Sequence, residues 1–455
     1  MKALQAEVEL LKANQMPATT PSTVIQQPAP LLSAAPATTQ HKPVVAIGTE
    51  VEAAPLALIV RSPLPTRQTV SDNPAGVSRI DNQAPPTDPE LKGFFTIPGT
   101  NTMLRLGGYA KLDAMYDTSS AGNTDQFVTA SIPVPRPHDD DGNFNMHARQ
   151  TRFTFEVRRP TIFGQTMRFY LENDFYGGDD GQYQFHLRQA FGQTGNTYAG
   201  YGYSAFMDAD ALPDTLDFAG PGGEVFLLQP NVHQAFHLGD HGSLTVSAER
   251  SSTELATSNP LTSLTGTQEL PDIVIAGRTE HSWGHLQASA VLRQLGYSDG
   301  ERRDRTLGGG VALSGVVNLG DQPENNDLLM FSTTWGKGIA RYLSDTSGSG
   351  LDAVVDSSGR LHALNGWGGY AAYTHYWASA WRSNLVYGLA STQRSPWLQS
   401  TAFRSSTYGA TNLIWSPVST LTVGVELLYG QLELQSGRSN NTSRIQGSLQ
   451  YSFIK

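Results

Sequence analysis

Residues 104–117 read LRLGGYAKLDAMYD, and their alternation decides the fold class. Leu106 and Leu112 fall on one face of an extended chain, whereas Lys111 and Asp113 fall on the other. Successive side chains of a β-strand point to opposite faces, whereas a helix repeats about every 3.6 residues. The stretch therefore predicts a strand with one apolar face and one polar face.

The same period of two recurs through residues 93–455, and helical patterns are almost absent there. This part of the chain is therefore predicted to be all-β. The apolar faces include Phe153/Phe155/Val157, Met167/Phe169/Leu171, Phe185/Leu187, Leu286/Ala288/Ala290/Leu292, Leu421/Val423/Val425/Leu427 and Ile445/Leu449/Tyr451.

The connections between these strands alternate between long and short. Long ones include residues 118–146, 207–228 and 337–364, whereas short turns centre on Gly192 and Pro417, among others. An even set of about sixteen antiparallel strands, with long loops at one end and tight turns at the other, is typical of outer-membrane β-barrels. We therefore predict a transmembrane barrel in the bacterial outer membrane, with both chain ends on the periplasmic, short-turn side.

Aromatic residues collect near the predicted strand ends, where interfacial belts lie in membrane proteins. An ordinary β-rich aromatic content would also account for some of them. The residues are Tyr116, Tyr176, Tyr183, Trp283, Trp335, Trp377, Trp381, Trp415 and Tyr451.

The composition excludes several classes of function. The chain has no cysteine, which excludes disulfides, thiolate zinc sites and cysteine nucleophiles. Its net charge of −10 argues against a nucleic-acid partner. Mean hydropathy is −0.31, and no apolar run approaches the roughly 18 residues of a spanning helix. A barrel remains compatible with these values because alternating strands hide their hydrophobicity.

Two segments precede the predicted barrel. Residues 1–15 carry Leu4, Val8 and Leu11 at the spacing of a coiled-coil seam, although about two heptads also fit a frayed helix. Residues 16–92 are rich in Pro, Ala and Thr, which predicts a disordered periplasmic linker. The first residues do not resemble a signal peptide, so we expect a signal to have been removed or the start to lie further upstream.

The long connection after the fifth strand contains Asp208, Asp210, Asp214 and Asp217. A calcium loop is one interpretation, but Pro213 occupies the position where an EF-hand needs glycine. The favoured interpretation is an acidic loop that constricts a pore. The sequence predicts no metal site, no cofactor and no catalytic residue.

Basic residues recur on the polar faces of the strands. Charge is costly on a lipid-facing surface, so such residues must line the lumen or form ion pairs. One interpretation is that they only pair with nearby acids such as Glu156 and Glu172. The other is an electropositive path, opposite the acidic loop, that attracts anions. The candidate pore-lining residues are Arg105, Lys111, Arg152, Arg158, Arg168, Arg188, Arg293 and Arg444.

Several segments resemble the DcaP-like family of outer-membrane porins. Thr151 stands where that family usually has Ser, and the chain ends on Phe453-Ile454-Lys455 where such barrels commonly end on an aromatic residue. The resembling segments are LGGYAKLDAMYD (106–117), ARQTRFTFEVRRPTIFG (148–164), FYLENDFYG (169–177), LRQAFG (187–192) and FMDADALPDTLDFAGPGG (206–223).

The resemblance implies a trimeric channel of sixteen strands that takes up dicarboxylates and other anions. We therefore expect an outer-membrane porin for passive diffusion of small anionic solutes through an arginine-lined pore. Its expected partners are outer-membrane lipid or lipopolysaccharide and two further copies of the chain. The alternatives are a soluble or surface-attached all-β binding protein and an outer-membrane barrel enzyme.

Overall fold

The computed structural model describes residues 93–160, 165–179, 181–257, 264–320 and 326–453. The predicted helix of residues 1–15 and the predicted linker of residues 16–92 lie outside the described residues, as do Ile454 and Lys455. Within these ranges no helix is both long and apolar enough to span a membrane.

The described chain is almost entirely β-structure, with 3-10 helices at Thr129–Ser131, Ala209–Ala211 and Ala340–Tyr342. In chain order the strands are β1 (Phe95–Thr96), β2 (Met103–Asp117), β3 (Asn143–His147), β4 (Arg152–Pro160), β5 (Thr166–Gly177), β6 (Gln184–Thr194), β7 (Thr197–Tyr203), β8 (Leu228–Leu238), β9 (Gly242–Glu249), β10 (Leu255–Thr257), β11 (Thr265–Thr267), β12 (Asp272–His281), β13 (Gly284–Ser298), β14 (Arg303–Asn318), β15 (Leu328–Lys337), β16 (Ala353–Val355), β17 (Leu361–Ala363), β18 (Asn365–Ala378), β19 (Trp381–Thr392), β20 (Phe403–Val418), β21 (Leu421–Leu434) and β22 (Ser439–Ser452).

The strands close into an antiparallel barrel of sixteen strands, which confirms the predicted fold class. Strands β3 and β4 together make the second barrel strand, because the chain bends between residues 147 and 152. The barrel closes where β2 pairs with β22, from Tyr109↔Ser452 to Asp117↔Arg444. A closed barrel pairs every strand on both sides and leaves no open edge.

The barrel has an apolar outer surface and a polar interior. Along β2, Leu106 and Leu112 are 48% and 45% exposed, whereas Lys111 and Asp113 are each 1% exposed. This arrangement matches a lipid-facing exterior, where each charge would be costly. The alternation read from the sequence therefore assigns the two faces correctly.

Two predicted turns lie elsewhere in the structure. Gly192 is inside β6 and pairs with Ala199, while the chain reverses at residues 195–196, where Gly195 has φ +55°. Pro417 lies inside β20, at a register shift between Trp415 and Val418, and the turn follows it. A bulge tolerates proline because it interrupts the hydrogen-bond ladder.

Eight of the nine aromatic residues proposed for the interfacial belts are at least 38% exposed. The exception is Tyr176, which is 8% exposed and stacks on Phe218 with ring centroids 4.2 Å apart. Tyr176 shares the parity of Glu172 and Asp174 along β5, and it points into the barrel as they do. The belt assignment was wrong at this residue because strand-end position was given more weight than alternation.

Two connections fold into the interior, and we call them inner loop 1 (residues 204–227) and inner loop 2 (residues 338–364). They pair with each other through the bridge Val225↔Leu343 and the bond from Phe226 N to Tyr342 O (3.0 Å). Inner loop 1 also passes close to glycines of the barrel strands. A Cβ on Gly368 of β18 would lie only 2.6 Å from Gly223 O of this loop. The lumen is therefore lined by strands on part of its perimeter and by loops on the rest.

Candidate functional site

Five of the predicted arginines lie together on the inner face of adjacent strands. The register pairs Arg105 with Glu156 across β2 and β4, and it pairs Arg158 with Arg168 across β4 and β5. Neighbouring strands are about 4.8 Å apart, so inward side chains on paired residues meet. We call the five residues the arginine wall: Arg105, Arg152, Arg158, Arg168 and Arg188.

Three members of the arginine wall share one carboxylate. Glu156 Oε2 accepts from Arg105 Nη2 (2.7 Å), while its Oε1 accepts from Arg158 Nε (2.7 Å) and Arg168 Nε (2.8 Å). The Phe94 ring covers two of them, with its centroid 5.1 Å from Arg105 Cζ and 5.2 Å from Arg158 Cζ. One negative charge among three guanidinium groups leaves this cluster with an excess positive charge of two.

The other two members are balanced by two carboxylates. Arg188 binds Glu172 and Asp174 at 2.9 and 3.3 Å. Arg152 lies 3.3 Å from the same Glu172 oxygen and 3.9 Å from Asp174. Arg152 is therefore the more loosely paired of the two, and its Nε and Nη2 have no hydrogen-bond partner.

The remaining three predicted basic residues hold parts of the protein together. Lys111 Nζ binds Gln150 Oε1 (2.5 Å), Leu216 O in inner loop 1 (2.8 Å) and Asp113 (2.9 Å). Its side chain is fully buried. Lys111 thus fixes the backbone of inner loop 1.

Arg444 and Arg293 are bonded at every nitrogen of their guanidinium groups. Arg444 binds Asp117 at 2.6 and 2.9 Å, and it lies 3.6 Å from Asp217 of inner loop 1. Arg293 binds Asp272 (3.0 Å) and Asp352 of inner loop 2 (2.9 Å). Arg293 also donates to the carbonyls of Ser252 and Gly338. Arg444 also donates to the carbonyls of Asn123 and Thr124.

The four aspartates of inner loop 1 bind residues that are not members of the arginine wall. Asp208 accepts from Arg278 Nη1 (3.1 Å), His285 Nε2 (2.9 Å) and Ser314 Oγ (2.8 Å). Asp210 accepts from Arg278 Nη2 at 2.7 Å. These bonds attach the start of the loop to β12, β13 and β14.

The middle of the same loop is attached to β19 and β22. Asp214 binds Arg382 Nε (3.0 Å), and Asp217 accepts from Phe127 N (2.9 Å) besides its contact with Arg444. The expectation that the acidic loop lies opposite the arginine path and constricts the pore stays a prediction. Alternation gives the face of each residue, but it does not give the cross-barrel partner that a loop side chain finds.

Sequence reasoning predicted a long connection at residues 337–364, but it did not predict that inner loop 2 folds into the barrel. Asp345 is 4% exposed, and it accepts hydrogen bonds from Gly223 N in inner loop 1, Thr129 Oγ1 and Ser406 Oγ. Burial and the neighbouring Asp345 raise the pKa of Glu224 well above its ordinary value, which favours the neutral acid. The signal available in the sequence was the length of this connection, which exceeds what a turn needs.

No cluster of three or more His, Cys, Asp or Glu side chains suited to a metal ion occurs in the described part of the chain. The histidine and aspartates at inner loop 1 are instead bonded to each other, to arginine and to serine. The hydrogen bonds of these side chains hold inner loop 1 against the barrel strands.

The sequence matches the family model described as the porin subfamily over residues 91–450. No curated protein matches the sequence. The outer membrane channel DcaP of Acinetobacter baumannii has a similar fold, with a TM-score of 0.69 at 21% identity over 79% of this chain and 99% of that chain. An anion-selective porin from Comamonas acidovorans has a TM-score of 0.51 at 11% identity over 77% of this chain and 100% of that chain.

The family match spans both inner loops and all of the described barrel except the last two residues of β22. A sixteen-stranded barrel with an apolar exterior and a polar interior is the structure that this match implies. The chain belongs to the porin subfamily and forms an outer-membrane channel with the DcaP fold.

Proposed function

We propose that this channel passes small anionic solutes, chiefly carboxylates and dicarboxylates, by passive diffusion along the arginine wall. The observation that carries the proposal is the Glu156 cluster, where three arginines surround one carboxylate. Taken together, the five wall arginines face three carboxylates, Glu156, Glu172 and Asp174, so five positive charges exceed three negative ones by two.

The strength of the attraction suits passage through a pore. Two unit charges about 4 Å apart interact by about 1 kcal/mol in water and about 4 kcal/mol at an effective dielectric constant of 20. Conduction needs a site that attracts the solute and still releases it. An excess of two charges spread over neighbouring strands meets both needs.

The pairing of inner loop 1 supports the same selectivity. Its aspartates pair with Arg278, Arg382 and Arg444, so the carboxylates paired with the arginine wall are Glu156, Glu172 and Asp174 and not those of inner loop 1. Anion selectivity also occurs in another protein of this fold, the Comamonas acidovorans porin. The negative net charge of the chain as a whole does not oppose the proposal, because local charge governs a confined path.

The proposal extends to assembly and orientation. We propose a homotrimer in contact with outer-membrane lipid or lipopolysaccharide, with the short-turn end and residues 1–92 in the periplasm. Strand β1 supports this placement of the chain start, because Phe95 and Thr96 pair with Leu104 and Met103 at the beginning of β2. The proposed activity is permeation alone, and we assign it no catalytic residue and no cofactor.

A double variant tests the selectivity. Arg105→Gln with Arg158→Gln removes the two excess charges, while Arg168 keeps Glu156 paired at 2.8 Å. In planar bilayers under a salt gradient, the reversal potential should move toward cation preference. The matched control is Arg394→Gln, which changes an arginine in a loop whose side chain is 60% exposed. An unchanged reversal potential in the double variant would overturn the proposal.

A further inference from the structure

A group of hydrogen-bond donors without partners lies between the first two barrel strands. Tyr109 Oη, Gln150 Nε2, Arg152 Nε and Arg152 Nη2 are all buried, and none has a hydrogen-bond partner. Tyr109 and Arg152 are direct partners across β2 and β4, and Arg152 Cζ lies 5.6 Å from the tyrosine ring centroid. Gln150 precedes Arg152 by two residues, at the bend between β3 and β4.

The orientation of the Gln150 amide is fixed by its other end. Gln150 Oε1 accepts from Lys111 Nζ at 2.5 Å, and an ammonium group can only donate. The end of the side chain without a partner is therefore the amide N–H group. Gln150 is 0% exposed and Arg152 is 7% exposed, so bulk water does not satisfy these donors.

Buried polar groups are almost always paired, because an unpaired one costs free energy comparable to a lost hydrogen bond. A group of donors is satisfied best by a ligand that only accepts. Anions meet that requirement, because they accept from every donor around them. The donor set therefore indicates an anion as the missing partner.

The charges around the donors limit the kind of anion. Arg152 and Arg188 are balanced by Glu172 and Asp174, and Lys111 is balanced by Asp113. The surroundings are thus close to neutral before a ligand binds. Arg152 Nε and Nη2, which have no hydrogen-bond partner, would donate to a single negative charge, whereas further charges would be repelled by Glu172 and by Asp174, which lies 3.9 Å from Nη2.

We propose that Tyr109, Gln150 and Arg152 form a binding site for one small monovalent anion of halide size, such as chloride. This site explains the Arg-Gln-Thr-Arg segment at residues 149–152. Arg149 is already engaged with Asp125 and with the carbonyls of Phe175 and Tyr176, whereas Gln150 and Arg152 supply the anion donors. The ion would be resident in the barrel whether or not the pore selects anions.

Chloride-35 NMR on the full-length protein in detergent micelles tests the site. Bound chloride broadens the line, and bromide should displace it. Tyr109→Phe should weaken halide affinity about tenfold, the equivalent of about 1.4 kcal/mol. Arg152→Gln should abolish the broadening. The matched control is Tyr408→Phe, which removes another buried hydroxyl without a partner on β20 and should leave affinity unchanged.

Two outcomes would overturn the site: an unchanged affinity in Tyr109→Phe, or an equal loss in Tyr408→Phe. Tyr109→Phe is the decisive variant, because it keeps the charge and the ring and does not disturb the ion pairs. The double variant Arg105→Gln/Arg158→Gln separates this proposal from the proposed function. It should keep chloride binding even if its reversal potential shows that the pore is not selective.

Discussion

Glu254 lies where the loop of residues 250–271 meets inner loop 2, and we predict that Glu254→Gln strengthens this junction at neutral and alkaline pH. Glu254 Oε2 accepts from Gly348 N (2.9 Å), and its Oε1 is buried without a partner. The backbone N of Glu254 donates to Asp352 Oδ2 (3.2 Å), and β10 then pairs in parallel with β16. The variant changes the charge at the centre of the contact.

Burial and the adjacent Asp352 raise the pKa of Glu254 from 4.5 to about 7, against opposing effects of Gly348 N, Arg341 and Arg293. The pKa of Glu254 is raised only while the junction is closed. As pH rises, Glu254 therefore ionises at a lower pH in the open junction than in the closed one. The junction is therefore strongest below pH 4.5, weakens as pH rises to about 7, and is constant above that. At about 1.36 kcal/mol per pKa unit, the loss amounts to about 3 kcal/mol.

Hydrogen exchange of the amides of Gly348 and Ala353 measures this opening, because both donate to Glu254. At pH 8, Glu254→Gln should slow their exchange by up to about a hundredfold relative to the unchanged protein, since about 3 kcal/mol corresponds to about two decades. At pH 4, where Glu254 is protonated in both the closed and the open junction, the two proteins should exchange nearly alike. The matched control is Glu301→Gln, which changes an exposed glutamate. Equal exchange at both pH values would refute the reasoning.

The protein in detergent should give a β-dominated circular dichroism spectrum and migrate differently on gels before and after boiling; identical migration would contradict the barrel. Deletion of residues 1–92 should leave a trimer by light scattering, whereas monomers would show that the barrel surface is not the main interface. Arg444→Gln should destabilise by about 3–5 kcal/mol in urea unfolding, because it leaves buried carboxylates unpaired, whereas Arg394→Gln should cost less than about 1 kcal/mol. Gly388→Ala should displace inner loop 1 and alter single-channel conductance, because its Cβ would overlap Gly222 O, whereas Gly447→Ala, with open space at that position, should not.

The fold could be predicted because its signals are local. Alternation along β2 placed Leu112 outside and Lys111 inside, and the lengths of the connections gave the number of strands. The same alternation placed the five arginines of the wall on one inner face. These inferences need only the parity of a residue and the order of the strands.

The partners of the inward residues could not be predicted in the same way. Asp208 lies 70 residues before its partner Arg278 in the sequence, and Asp217 of inner loop 1 contacts Arg444 on β22. Such pairs depend on the path of inner loop 1, which follows from its packing against Gly368 and against inner loop 2. The alternation of apolar and polar residues in the sequence does not predict the path of inner loop 1.

The pairing of β2 with β22 has a consequence for the order of assembly. Lys111 lies opposite Gln450, and Arg444 binds Asp117 across the same seam. Contacts between such distant parts of a chain form slowly, because a large loop must close first. Until β22 is in place, β2 and β21 each keep an unpaired edge, which is a site for wrong pairing. Sealing of the channel therefore depends on the pairing of its last strand with its first.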